Sequence, residues 1–116
     1  MRICIDLDGT ICETRRADEN YSDVKPLKDV ISSIQKYKED GHEIIIYTSR
    51  HMKTCNNNIG KIIALQSKVV IEWLTKHQIP FDEINFGKPL ADLYIDDKGI
   101  KFEDWNTVNK KIKEIF

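Results

Sequence analysis

The sequence predicts an α/β sandwich on a parallel sheet, and three observations carry that reading. Short apolar runs, Ile3-Cys4-Ile5, Ile44-Ile45-Ile46-Tyr47 and Leu93-Tyr94-Ile95, alternate with longer stretches whose apolar residues recur at helical spacing. The runs are continuous, as in parallel strands buried on both faces, rather than alternating with polar residues. Each run then ends abruptly in polar or charged residues: Asp6-Leu7-Asp8, Thr48-Ser49-Arg50 and Asp96-Asp97. Right-handed crossovers with helices on both faces make this a three-layer α/β/α arrangement. With the first strand central, the second and third on one side and Leu93–Ile95 on the other, Asp6 and Asp96 are expected to face each other at the carboxyl edge, where open sheets bind ligands.

Each element follows from its local sequence. The first strand closes in Asp6-x-Asp8-Gly9-Thr10, with Gly9-Thr10 as the exit turn. Residues 11–25 are polar and aperiodic and read as a loop over that strand end. Pro26 is expected to open a helix, with Leu27, Val30, Ile31, Ile34 and Tyr37 on its buried face and Gly41 as its stop. After the second strand, residues 51–60 carry three consecutive asparagines and read as a second loop at the same edge. Ile62, Leu65, Val69 and Trp73, with Ile63, Val70 and Leu74 alongside, predict a long amphipathic helix that stops before Pro80. Phe81 to Phe86 is a weaker strand, and Gly87-Lys88-Pro89 is a tight loop leading to Leu93–Ile95. Trp105, Val108, Ile112 and Ile115 mark a final helix whose lysines are solvated.

Composition narrows the function classes. The 116 residues suit one domain with one core, and 41% hydrophobic with 32% charged residues is the balance of a water-exposed globular chain. A net charge of -1 gives no reason to expect nucleic acid or an anionic membrane as partner, so a small charged ligand fits better. No stretch is long enough to span a bilayer and the first residues do not read as a signal peptide, so a cytoplasmic location is expected. Three cysteines without a C-x-x-C pair are expected to be reduced thiols.

The acids are the chemical signal. Asp6 and Asp8 repel each other unless something positive lies between them, and with no Lys or Arg from Ile3 to Glu13 a divalent cation is the natural candidate. Read in chain order, the strand ends give Asp6-x-Asp8-Gly9-Thr10, then Thr48, then Lys88, then Asp96-Asp97. This series resembles the four motifs of the haloacid dehalogenase superfamily of phosphohydrolases, and the resemblance runs from Arg2 to about Trp105. It implies the superfamily's Rossmann-like fold and a phosphomonoesterase working through an aspartyl phosphate. Asp6 is then the nucleophile and Asp8 the acid–base residue. Asp6, Asp8 through its carbonyl, and Asp96 would hold Mg²⁺. Thr48, Lys88, Gly9, Ser49 and Arg50 would bind phosphate, with Asp97 and Thr10 in support. Arg15, Arg16, His51, Asn56 and Asn57 are weaker substrate candidates, and His77 reads as a helix-end histidine.

Both intervals that hold cap domains in this superfamily are short here, so the chain resembles the capless members, in particular small phosphatases of capsular and surface polysaccharide biosynthesis with T-x-R and G-K-P-x-A-D-x-Y-I-D-D. The resemblance implies a small phosphorylated metabolite, a sugar phosphate or sugar-acid phosphate, as substrate. A nucleotidase, a nucleic-acid-end phosphatase and a non-catalytic phospho-accepting module are the alternatives. Without a cap, water exclusion falls to the two loops or to a neighbouring subunit, so a homo-oligomer is expected.

Overall fold

Three of the four expected strands form where the sequence places them. A computed structural model of the protein describes residues 1–115. Strand β1 spans Arg2–Asp6, β2 Glu43–Thr48 and β3 Glu83–Phe86, in a parallel sheet of order β1-β2-β3. The register pairs Ile5 with Ile46 and Asp6 with Tyr47, and Thr48 with Phe86. The polar strand ends therefore lie level with one another along one edge. The α/β class with a parallel sheet is as expected.

The helices are α1 (Val30–Glu39), α2 (Ile59–Lys76) and α3 (Trp105–Ile115). Helix α1 begins later than Pro26 suggests, because the chain there is still pairing with the first loop: Leu27 N–H donates to the Ile11 carbonyl and Pro26 bridges Cys12. In α2 the buried residues are Ile62, Gln66, Val70, Trp73 and Leu74, whereas Leu65, expected inside, is 53% exposed. Asn58 caps α2 by accepting from Lys61 N–H, and Asp104 caps α3 by accepting from Thr107 N–H. Asn56 and Asn57 take positive φ of 50° and 61°, the turn role their sequence suggests.

One core cluster joins Ile5, Ile44 and Ile46 of the sheet to Val30, Ile34 and Tyr37 of α1, Val70, Trp73 and Leu74 of α2, and Trp105 and Ile112 of α3. Side chains alternate along a strand, so the opposite sheet face carries Arg2, Cys4, Glu43, Tyr47, Glu83 and Asn85. There Arg2 joins Glu43 and Glu83 at 2.8 and 2.9 Å in a solvated ion triad. Cys4, expected to be buried in a doubly covered strand, is exposed. Ile45 is the buried residue of that face.

A second correction concerns the expected fourth strand. Leu93, Tyr94 and Ile95 do not join the sheet; they are 74%, 48% and 88% exposed, within a run from Pro89 to Lys101 that is exposed throughout. The far edge of β1 is left without a strand partner among the described residues. The physical reason is the short connection from β3, six residues from Gly87 to Asp92.

Candidate active site

Three of the expected residues meet at the carboxyl edge. Asp6 ends β1, and its Oδ1 lies 3.3 Å from Lys88 Nζ. Lys88 is held there from two directions: its N–H donates to the Thr48 carbonyl at 3.1 Å, and its ammonium sits 4.4 Å from the centroid of the Tyr94 ring. Gly87, immediately before it, has φ of 96°, a conformation that strains any residue with a Cβ, and such a Cβ would also come within 2.8 Å of Ile59 Cδ1 at the start of α2. Thr48 is buried at the end of β2; its Oγ1 accepts from Arg50 N–H, which leaves the hydroxyl proton for another acceptor.

The turn after β1 is a tight hydrogen-bonded knot. The N–H groups of Thr10, Ile11 and Cys12 all point at the Leu7 carbonyl, and Gly9, at φ of 81°, donates to the Cys12 carbonyl at 2.7 Å. Trp105 Nε1 donates to the Thr10 carbonyl from α3, so Thr10 is a structural anchor as well as a turn residue.

Asp8 has a partner that sequence reasoning placed elsewhere. Arg50 grips it with two N–H groups at 2.9 Å each, donates a third to Gln66 Oε1 at 3.3 Å, and stacks on Tyr21 with 4.1 Å to the ring centroid. Arg50 is 5% exposed. Arg50, expected to bind phosphate, directs its fork at Asp8 in this structure, and a bidentate pair of this kind fixes a carboxylate's plane. Cys12 completes the group, with Sγ 3.4 Å from Asp8 Oδ1 and 3.6 Å from Arg50. Burial and the neighbouring Asp8 carboxylate push its thiol up to about 12, so it is an inert thiol. Gln66 and Tyr21 were missed from sequence. Gln66 left a signal, a polar residue at the helical period of Ile62, Val70 and Trp73. Tyr21 left none.

Beside this cluster a pocket of about 230 Å³ opens, lined by Asp8, Arg15, Tyr21, Ser49, His51 and Lys53 among others. Arg15 binds carbonyls of its own loop through Nη1 and leaves its buried Nε without a partner. His51 has φ of 60°, meets Tyr21 edge-on and has a buried, unpartnered Nε2; burial and then the nearby Arg50 hold its imidazole below the usual value. Arg16 is solvated and pairs with Glu19, Asn56 and Asn57 shape the turn, and His77 ends α2 against Trp73.

Asp96 and Asp97 do not reach this site. Asp96 accepts from the N–H groups of Lys98 and Gly99 in a turn of its own; those two bonds hold its carboxyl below the ordinary 3.8. Asp97 is exposed, and Lys88 pairs with Asp6 rather than with it. Among the described residues no group of three or more Asp, Glu, His or Cys side chains is placed to hold a metal ion.

Comparison with known proteins places these observations. Residues 3–73 match the family described as haloacid dehalogenase-like hydrolase. A crystal structure of a structural-genomics target from Vibrio cholerae is similar over 99% of this chain and 98% of that one, with 34% identity and a TM-score of 0.80. Among curated proteins none matches. No described helix is long and apolar enough to cross a membrane.

Proposed function

Since the chain belongs to the haloacid dehalogenase-like hydrolases, we propose that it hydrolyses the phosphomonoester of a small metabolite through an aspartyl phosphate on Asp6. The observation that carries this reading is the convergence of Asp6, Lys88 and Thr48 at one sheet edge, with Asp8 two residues beyond Asp6. In the first half-reaction an Asp6 carboxylate oxygen attacks phosphorus in line with the ester oxygen, the P–O(ester) bond breaks, and the departing alkoxide takes a proton from Asp8. In the second, water attacks the same phosphorus, Asp8 takes its proton, and the acyl phosphate P–O bond breaks to release inorganic phosphate and Asp6. The Lys88 ammonium offsets charge on the attacking carboxylate and the phosphoryl oxygens, and the Thr48 hydroxyl donates to the latter. Arg50 acts through Asp8, holding its carboxylate in one orientation.

The pocket against Asp8 receives the leaving group. At about 230 Å³ it is smaller than the pockets of drug-sized ligands, and Arg15, His51 and Lys53 give it donors for hydroxyl or carboxylate oxygens. A sugar phosphate or sugar-acid phosphate of surface polysaccharide synthesis suits that lining better than a polymer end. The family's Mg²⁺ calls for Asp6 and Asp96 together, and the described residues of one chain do not provide that set.

The test is phosphate release over a panel of sugar phosphates, phosphorylated sugar acids and nucleotides, with Asp6→Asn as control. The reading expects release from at least one sugar class that vanishes in the control. Equal release by both proteins on every substrate overturns it.

A further inference from the structure

The segment that should complete the site cannot do so in its own chain. Leu93-Tyr94-Ile95-Asp96 has the sequence of a strand ending in an acid, like β1 and β2, yet it lies outside the sheet with Leu93 74% and Ile95 88% exposed. Apolar residues of a strand pattern left in water lack a partner. The unpaired edge of β1 is the complementary feature, because an open edge adjoining the nucleophile presents free backbone donors and acceptors.

Chain connectivity explains why the two do not meet. A parallel strand beside β1 starts at the bottom of the sheet, three strand spacings from the top of β3, roughly 14 Å sideways. Descending from the level of Phe86 to that of Ile3 adds about 13 Å, and the path has to clear the side chains of a sheet face. The connection available is Gly87-Lys88-Pro89-Leu90-Ala91-Asp92, tied down at Lys88 by Thr48 and Asp6, whereas a parallel crossover takes a dozen or more residues. An antiparallel strand avoids the crossover but delivers Asp96 to the wrong end.

We propose that the segment Pro89–Lys101 is an exchanged arm: in a second copy of this chain its Leu93–Asp96 stretch pairs in parallel with β1 and sets Asp96 beside that copy's Asp6. The arm has fixed limits. Phe86 is fixed in β3, and Trp105 is buried and bonded to Thr10, so the arm is anchored at both ends in its own chain; between them its residues are exposed, and Tyr94 gives up its contact with the Lys88 ammonium when the arm exchanges. The matching of faces supports this pairing. With Asp96 level with Asp6, Leu93 and Ile95 fall beside Ile3 and Ile5 on the core face, and Tyr94 falls beside Cys4 on the other. The three exposed apolar residues and the exposed cysteine are covered by one register. The two acids that the family's metal requires then come from different chains, so the site is incomplete in a monomer. The assignment of metal binding to Asp96 rests on the phosphatase reading; the exchange itself does not.

Three measurements test it, two of them without activity. Sedimentation at tens of micromolar is expected to give a dimer or higher closed assembly. In a Cys55→Ser background, Tyr94→Cys is expected to form a disulfide with Cys4 of another copy on mild oxidation, giving a covalent dimer on a non-reducing gel that is absent when Tyr94 is retained. A monomeric mass, or a disulfide confined to one chain, overturns the proposal whatever the activity. Finally, Asp6→Asn and Asp96→Asn chains co-expressed under separate tags are expected to recover about a quarter of wild-type activity, since half of randomly paired dimers are mixed and each has one intact site. Mixed pairs no more active than either variant alone, beside an active wild type, overturn it. If wild type is inactive on the whole panel, the phosphatase reading fails while the cross-link still decides the exchange.

Discussion

Replacing Arg50 by lysine keeps a positive charge opposite Asp8 and removes the fork. The guanidinium is buried, with its side chain 3% exposed against 27% for Asp8. Lysine loses the second N–H to Asp8, the bond to Gln66 and the stack on Tyr21. A neutral hydrogen bond contributes about 1 kcal/mol and a desolvated cation–π contact about 1–2 kcal/mol; with the ammonium retaining one contact to Asp8, the net loss is about 2–3 kcal/mol. For a chain of this size that lowers a urea midpoint by roughly 1–1.5 M, read by circular dichroism. The catalytic effect is more diagnostic. If Arg50 positions Asp8, kcat falls about 100-fold, the low end of a misplaced acid–base group, while KM for a chromogenic aryl phosphate stays within about twofold. A tenfold rise in KM with kcat unchanged shows instead that Arg50 grips the substrate, and refutes the reading of the pair.

Three further outcomes are expected. Gly87→Ala adds a Cβ 2.8 Å from Ile59 Cδ1 at φ of 96°, so stability falls by about 1–2 kcal/mol and activity falls with it as Lys88 is displaced; calorimetry and initial rates check both. With a thiol pushed up to about 12, Cys12 is expected to remain unlabelled by iodoacetamide at pH 8 in the folded protein and to react once the chain is unfolded in urea; labelling of Cys12 in the folded protein by mass spectrometry contradicts the buried cluster. Asp82 is held below its ordinary 3.8 by the Ile44 N–H first and then by Lys38, a depressed acid whose stabilisation is present above 3.8 and lost as pH falls through the lower folded value. Asp82→Asn is therefore expected to flatten the fall of the thermal midpoint below about pH 4, and an unchanged slope sinks that assignment.

The sequence reading succeeded where a single local rule decides. Charge at the end of an apolar run places Asp6, Thr48 and Lys88 on one edge, because strand ends in a parallel sheet are level by construction. It failed where partner choice is three-dimensional. Arg50 follows Thr48 and reads as ligand-facing, but its direction depends on Asp8, Gln66 and Tyr21, which come from distant parts of the chain. Leu65 and Gln66 exchange their expected burial for the same reason, since the guanidinium recruits an acceptor into the helix's inner face. The fourth strand was misplaced although the sequence held the correction. Its apolar pattern signals a strand, while the length of Gly87–Asp92 signals that no crossover fits.

The bond from Trp105 Nε1 to the Thr10 carbonyl closes a loop across 95 positions. During synthesis the turn that carries the nucleophile therefore emerges long before the helix that steadies it, and waits through most of the remaining chain with its carbonyl wet. A contact so distant in sequence carries a large loop-closure cost, so until α3 is made and docked the turn has only its local hydrogen bonds. C-terminal truncation at Asp104 is thus a lesion of the first turn as much as of the last helix.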